Sequence, residues 1–398
     1  MTTVPEPTVF AALALAVILA GLAWFWRHAR IRRKARLRVN PAHDYPLRQD
    51  WSRSRSILNH SSFVYFDVDR DGRYGLGDRP MAGIMVRLHD SSGRFKSAAR
   101  TNNNGFANFG VSYKRSKVPI HSPGTYRFTV SIPPGWRTNS ANEVQSQHFQ
   151  PLAGSPTGLV SDAMLQPVGL FPIRRLSGRV ADHVAATVSA TRNGKVVAVH
   201  SLGDAADFRL DLPDDADAID VAGRGVARRL ALSPYPTDLG LLSPEIAVIA
   251  NDAPLQTIGF DDVTTRGLRK VPSGYAGFTW FNLNAISRDY VNNAEGYVNG
   301  NVSGEHSCYT SSGHPAEFGS DMPFGFHSVV LAAASSKSEG EVALVESWLG
   351  DRLIASDAVT LSALTPVRYA PMLAQVTRVR FSTRHYWQLV LDDLVVTR

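Results

Sequence analysis

Cysteine is almost missing from this sequence. Cys308 stands alone in 398 residues, so no disulfide can form within the chain and a bound metal becomes the more useful staple. Acidic residues are missing from one place in particular. Arg27, Arg30, Arg32, Arg33, Lys34, Arg36 and Arg38 have no acid among them, and their seven charges equal the whole net charge of +7. The remainder is neutral, which excludes a broad positive field for nucleic acid. Charged residues at 19% and hydrophobic residues at 44% are ordinary globular values, whereas 31 Gly and 23 Pro with many Asn and Ser point to turn-rich β structure. Long apolar runs are scarce too. The one at Thr8 to Trp26 ends on Trp24, Phe25 and Trp26 directly before the arginines, which predicts a single-pass transmembrane anchor over 1–26. A cleavable signal peptide would carry its positive charge ahead of the run.

Residues 27–57 read as a basic flank and linker, with Pro41 and Pro46 and no sustained apolar period. The rest predicts an all-β body of tandem antiparallel β-sandwiches at 58–172, 173–250 and 251–398. In the first, Ser62 to Phe66 is aromatic and β-branched and reads as a strand. It leads into a loop with Asp67, Asp69 and Asp71 on alternate residues, Gly72 next, and Asp78 at the twelfth position. That spacing suits Ca²⁺, a hard ion that takes six to eight oxygens, and the glycine suits the sharp turn. With a strand rather than a helix leading in, the expected role is a structural calcium staple. Arg70, Arg73 and Arg79 stand beside the carboxylates and are expected to weaken the site by repulsion. Further on, Ile84, Val86 and Leu88, then Tyr126, Phe128 and Val130, alternate as strands with one buried face.

These blocks, followed by Pro133, Pro134, Gly135 and Trp136, carry a specific resemblance over about 62–140. They look like the B-type, immunoglobulin-like domain of serine-aspartate-repeat surface proteins, related to collagen-adhesin B-type domains. The resemblance implies calcium ligands at Asp67, Asp69, Asp71 and Asp78. At the N-terminus, Val4, Pro5, Glu6 and Pro7, the apolar run and the arginines together resemble a PEP-CTERM sorting signal displaced to the start of the chain. Flanking charge argues for a cytoplasmic body, while the modules resemble surface proteins, so the expected location is the cell envelope with the body outside.

Residues 173–250 alternate as strands around the hairpin signal Asn193-Gly194 and read as a small spacer sandwich. The last module opens on Phe260, Asp261 and Asp262 and closes on Leu391, Asp392 and Asp393. Its blocks are similar to a jelly-roll domain of exosortase-sorted proteins that resembles carbohydrate-binding modules. In a jelly roll the first and last strands lie side by side, which makes Asp262 and Asp392 further metal candidates beside a strand-capping role. Tyr275, Trp280, Tyr297 and Trp348 are candidates for stacking on sugar, against core packing as the alternative. The function expected is a membrane-anchored surface or adhesion protein, not an enzyme, with a polysaccharide or envelope component as ligand. The alternative is a polysaccharide hydrolase using Glu317 and Glu346, which needs their carboxylates within about 5 to 9 Å. His306, Cys308 and His314 form no recognisable nucleophile or zinc motif.

Overall fold

A computed structural model describes residues 19–24 and 58–398, apart from 114–116, 156–157, 205, 250–253 and 291–294. Of the expected transmembrane span only 19–24 falls among these, and it is helical. The remainder of that span and the 27–57 flank lie outside the described residues. Among the described residues no helix is long and apolar enough to cross a membrane. The body belongs to one compact unit, Pro46–Arg398, built almost wholly of strands with the short helix Glu295–Asn299.

Two sheets drawn from 58–172 face each other. In one, Leu58–Phe66 is central: its first half pairs antiparallel with Phe106–Val111, its second half parallel with Val168–Pro172. The other is an antiparallel run of Phe95–Arg100, Met85–Asp90, Gly124–Val130, Val144–Pro151 and Leu159–Ser161. The alternation predicts the inward face correctly: Val86 and Leu88, with Tyr126, Phe128 and Val130, meet Val64, Phe66, Phe109 and Leu170 in a shared core.

The second region folds through the expected hairpin, with Asn193 and Gly194 both at positive φ (48° and 74°), as a two-residue type I′ turn requires. Its four antiparallel strands Lys195–Leu202, Ala186–Arg192, Ala218–Gly223 and Val226–Ala231 form one sheet. Its other sheet, Asp207–Asp211, Arg175–Val180 and Thr237–Leu242, does not end within the region. Thr237–Leu242 pairs parallel with Val367–Tyr369, Thr237 opposite Arg368 and Asp238 opposite Tyr369. Ala370 and Met372 enter the second core. Buried Arg228 binds the Leu239 and Leu241 carbonyls (2.7 and 2.8 Å), and a Cβ on Gly240 would collide with Asp357. The spacer is thus joined by backbone hydrogen bonds to the last region.

In that last region the 18-residue strand Ala316–Ala333 joins two sets of strands within one continuous hydrogen-bonded network. Its first half pairs with Leu373–Thr383, its second with Leu389–Thr397 and Val367–Tyr369. Gln256–Ile258 lies against Leu389–Thr397, Ile258 opposite Leu394, so the first and last strands are neighbours. The sheets enclose a core rich in phenylalanine, including Phe260, Phe278, Phe318, Phe326 and Phe381.

Side chains tie the first sandwich to the others. Asn299 exchanges hydrogen bonds with the Ala82 backbone (3.0 and 3.1 Å) and donates to the Ala363 carbonyl (2.9 Å), and Trp136 Nε1 donates to Thr365 Oγ1 (2.6 Å).

His60 sits inside the first core against the rings of Phe128 and Phe149 (5.3 and 5.0 Å), with Nε2 buried and unpartnered. Burial lowers its pKa to about 4, the Asp162 charge opposing only in part. Between about pH 4 and the ordinary histidine value near 6.5 the unfolded chain therefore binds more protons than the fold, and stability rises with pH. The contribution is complete above about pH 6.5 and lost as pH falls through 4, roughly 3 kcal/mol at most. Urea unfolding should show this acid loss in the wild type and a flatter profile for His60→Leu.

Candidate metal centre

The loop begins where Leu58–Phe66 leaves its sheet, the Asp67 N–H still donating to the Leu170 carbonyl (2.9 Å). Gly72 and Arg70 take positive φ (75° and 63°), and the turn folds Asp69 and Asp71 back toward Asp67. One oxygen from each of these three lies within 4.8 Å of the other two. Asp67 Oδ2 accepts the Gly72 N–H (3.0 Å), Asp69 Oδ1 the Asp71 N–H (3.2 Å) and Asp71 Oδ1 the Arg73 N–H (2.7 Å). Asp78, expected as the fourth ligand, stands outside that group. Its Oδ1 accepts the Val68 N–H (2.9 Å) and its Oδ2 the Gly75 N–H (2.8 Å), so it closes the loop on itself.

Asp67 is fully buried, and its Oδ1 has no hydrogen-bond partner. Burial raises its carboxyl pKa; the Gly72 N–H opposes this and the Asp78 charge adds to it. A second buried oxygen, Tyr65 Oη, is also unpartnered, and burial followed by the charges of Asp67, Asp78, Asp71 and Asp69 raises its pKa. Sequence reasoning missed Tyr65, although it stands two residues before Asp67 and so on the same face of the strand. Tyr74 packs edge-on against Phe63 and Tyr65 (4.9 and 5.1 Å), fixing the exposed arm of the loop. An orphaned buried carboxylate oxygen among convergent carboxylates fits a hard cation: its missing partner is positive charge, not another acceptor.

Two of the three neighbouring arginines are held elsewhere. Arg70 donates to the Asp214 side chain (3.2 Å) and to the Asp214 and Pro172 carbonyls (3.1 and 3.3 Å), and lies over the Phe171 ring. Arg79 donates to the Asn301 and Gly304 carbonyls (both 3.3 Å). Arg73 is exposed. The expected repulsion is therefore reduced, because the guanidiniums of Arg70 and Arg79 are spent on contacts with the second and third regions.

The other candidates separate. Asp392 is buried; its Oδ2 accepts the Val302 and Ser303 N–H groups (2.8 and 3.1 Å), and burial, then Asp393, pushes its pKa well up. Asp261 Oδ1 accepts the Glu305 and His306 N–H groups (2.6 and 3.0 Å), and Asp262 accepts the Tyr275 hydroxyl (2.5 Å). Asp261 and Asp392 pin the 302–306 loop, and among the described residues neither Asp262 nor Asp392 belongs to a metal-sized cluster.

The aromatic candidates also divide. Trp280 (5% exposed) stacks on Phe318 in the core, and Tyr297 (7%) packs against Tyr309. Neither offers a face to sugar: Trp280 lies in the sandwich core, and Tyr297 is buried in a separate cluster with Ile286, Tyr309 and Val390. Tyr275 is half-buried. Trp348 is half-buried with the Arg378 guanidinium 4.6 Å from its ring centre. Cys308 is buried in the core, where burial raises its thiol pKa well up. His306 is buried and His314 exposed, so the three gather into no zinc site among the described residues. Glu317 and Glu346 lie on one sheet face, each directly opposite Arg380 on the strand between them. Their backbones are two strands apart, about 9.5 Å, with a cation occupying the gap.

No family model matches the chain. It is similar to serine-aspartate repeat-containing protein C of Staphylococcus aureus strain MW2, 28% identical over 138 residues, covering 30% of this chain and 14% of that protein. For strain N315 the figures are 26% over 129 residues, 29% and 13%. The chain thus spans about a seventh of these relatives. Among solved structures, a shaft pilin of Lactobacillus rhamnosus GG is similar at 11% identity, TM-score 0.20, over 47% of this chain and 98% of the pilin. A minor pilin of Streptococcus agalactiae is similar at 11% identity, TM-score 0.19, over 48% and 99%.

With calcium chelated at pH 7, Asp67→Asn should stabilise the protein by roughly 1–3 kcal/mol, read as a higher urea midpoint, because it removes an uncompensated buried charge. The advantage should shrink on acidification. A carboxyl whose folded pKa is raised binds more protons folded than unfolded, so the wild-type penalty is complete above the folded value and gone below the unfolded one. Destabilisation by Asp67→Asn in chelator would mean that the carboxylate is already satisfied.

Proposed function

We propose that this chain is a surface structural or adhesion protein of the bacterial envelope whose first sandwich is stapled by Ca²⁺ through Asp67, Asp69 and Asp71. The observation that carries the reading is the fully buried, unpartnered Asp67 Oδ1 beside two further carboxylates on a tight loop. The similarity to serine-aspartate repeat-containing protein C supports the surface part of the reading. When bound, the ion supplies positive charge where three carboxylates converge, and the loop residues hold that convergence: Gly72 takes the turn, Asp78 closes it, and Asn139 Nδ2 donates to the Arg70 carbonyl (2.6 Å). The role is structural, since the ion locks the end of the strand central to the first sandwich.

The glycan part of the proposal narrows to the outer face of the last sandwich. There Trp348 and Arg378 lie beside the row Glu317, Arg380 and Glu346, with Phe281 63% exposed at its edge. A flat face with an indole and several fixed polar groups suits a saccharide chain better than bond cleavage, for which the row offers no cleft.

In the full chain, Ca²⁺ should raise the melting temperature, chelation should reverse the gain, and Asp69→Ala should abolish it. At ten times the dissociation constant the gain is about 1.4 kcal/mol. A wild-type protein indifferent to Ca²⁺ rejects the staple. Protease added to intact cells should digest the body from Leu58 onward, and full protection of the body rejects the surface assignment.

A further inference from the structure

Strand Lys195–Leu202 is the edge of its four-stranded sheet and pairs, among the described residues, only with Ala186–Arg192. The opposite side of its backbone is therefore a row of N–H and C=O groups with no partner strand. What distinguishes this edge is its side chains. Val196, Val197 and Val199 are 59%, 42% and 58% exposed, and the strand contains no proline or glycine. Natural sheets blunt their edges with charge, shortness or bulges. Other terminal strands here carry such charge: Asp207–Asp211 carries Asp207, Arg209 and Asp211, Phe95–Arg100 carries Lys96 and Arg100, and Leu268–Lys270 carries Arg269 and Lys270. Lys195–Leu202 carries one formal charge, Lys195, at its beginning, and Asp204 follows its end.

We propose that this edge is a self-association surface, on which two copies of the chain pair antiparallel about a two-fold axis through Val199. Val199 then faces its own copy and Ala198 faces His200, with the bulged Val197 beside them. Lys195 of each copy comes beside Asp204 of the other, so the ends are complementary in charge as well as the centre in apolarity. A parallel alignment would set Lys195 against Lys195. The two-fold makes the contact self-complementary, the commonest symmetry of soluble dimers, and backbone hydrogen bonds across the new ladder extend the four-stranded sheet to eight. The register shift at Val197 restricts the regular edge, so the contact is centred on about five residues per copy and is reversible rather than obligate. A membrane anchor would raise its effective concentration by holding copies in one plane. The proposal does not depend on calcium or glycan binding.

The test uses the full chain with Val199→Cys. Cys308 is buried, so the native thiol is silent, and residues directly opposed in an antiparallel pair have Cα atoms about 4.5–5.5 Å apart, within disulfide reach. Mild oxidation should give a covalent homodimer on a non-reducing gel at least tenfold in excess of that from Ser356→Cys, an exposed position on the last sandwich. In the cysteine-free edge, Val199→Lys should weaken association at least tenfold by sedimentation, with an unchanged melting temperature showing that the monomer still folds. Equal cross-linking of the two cysteine variants overturns the proposal. So does a Val199→Cys adduct formed with a different protein instead of a second copy.

Discussion

The constraint that shapes this molecule is the carboxylate of Asp67, carried out of water at the end of the strand on which the first sandwich is built. A buried anion needs donors or a cation, and the surrounding chain supplies only part of that. Gly72 gives an N–H to Oδ2 at 3.0 Å, and the Arg70 backbone adds to it. The sequence places Asp69 and Asp71 beside the Asp67 carboxylate rather than lysine or arginine, which increases the local negative charge. Two nearby cations, Arg70 and Arg79, are bound elsewhere. On the calcium reading, that combination is what a site completed by a cation from solution requires.

Arg70 and Arg79 show how the same loop reaches the other regions. Arg70 joins Arg137 and Arg174 around Asp214, with Arg137 2.6 Å from its carboxylate and Arg174 bound to its carbonyl (2.8 Å). Arg79 reaches the Asn301 loop, the same segment pinned by Asp392 and Asp261. Exposed ion pairs are each worth little, but Arg70 is shielded from solvent and its donors go to carbonyls as well as to a carboxylate. The body is a single compact unit because these contacts, the Asn299 amide and the parallel ladder from Thr237 to Arg368 all cross what the sequence reads as module boundaries.

Local patterns were legible where their cause is local. Alternation placed Val86, Leu88, Tyr126 and Phe128 inward, Asn193-Gly194 marked the hairpin, and the Asp67 loop announced itself by spacing. The spacer's attachment was not legible, because Thr237 and Arg368 are far apart in sequence and pairing between distant strands leaves no periodic trace. Which face an aromatic residue takes was less legible. Trp280 and Phe281 are adjacent in one strand, so they must point to opposite faces; the sequence offered the indole as a sugar candidate beside the core-packing alternative, and the fold takes the alternative, burying Trp280 while exposing Phe281. Asp78 fits a twelfth-position ligand in spacing, yet its oxygens meet Val68 and Gly75 because a loop leaving a strand closes on that strand's own backbone.

On the calcium reading, the arginine contacts and the metal site are one thermodynamic system. A guanidinium held at Asp214 is kept off the carboxylates, so a closed junction favours the cation. By reciprocity, a bound cation repels Arg70 toward Asp214 and favours the closed junction by the same free energy. The sign does not depend on the affinity of the site. An isolated first sandwich, with Asp214 and the Asn301 loop gone, would leave Arg70 and Arg79 free to return to the acids. Arg70 and Arg79 thus act against calcium most strongly when the regions part, and the fold turns a local repulsion into a link between metal and architecture.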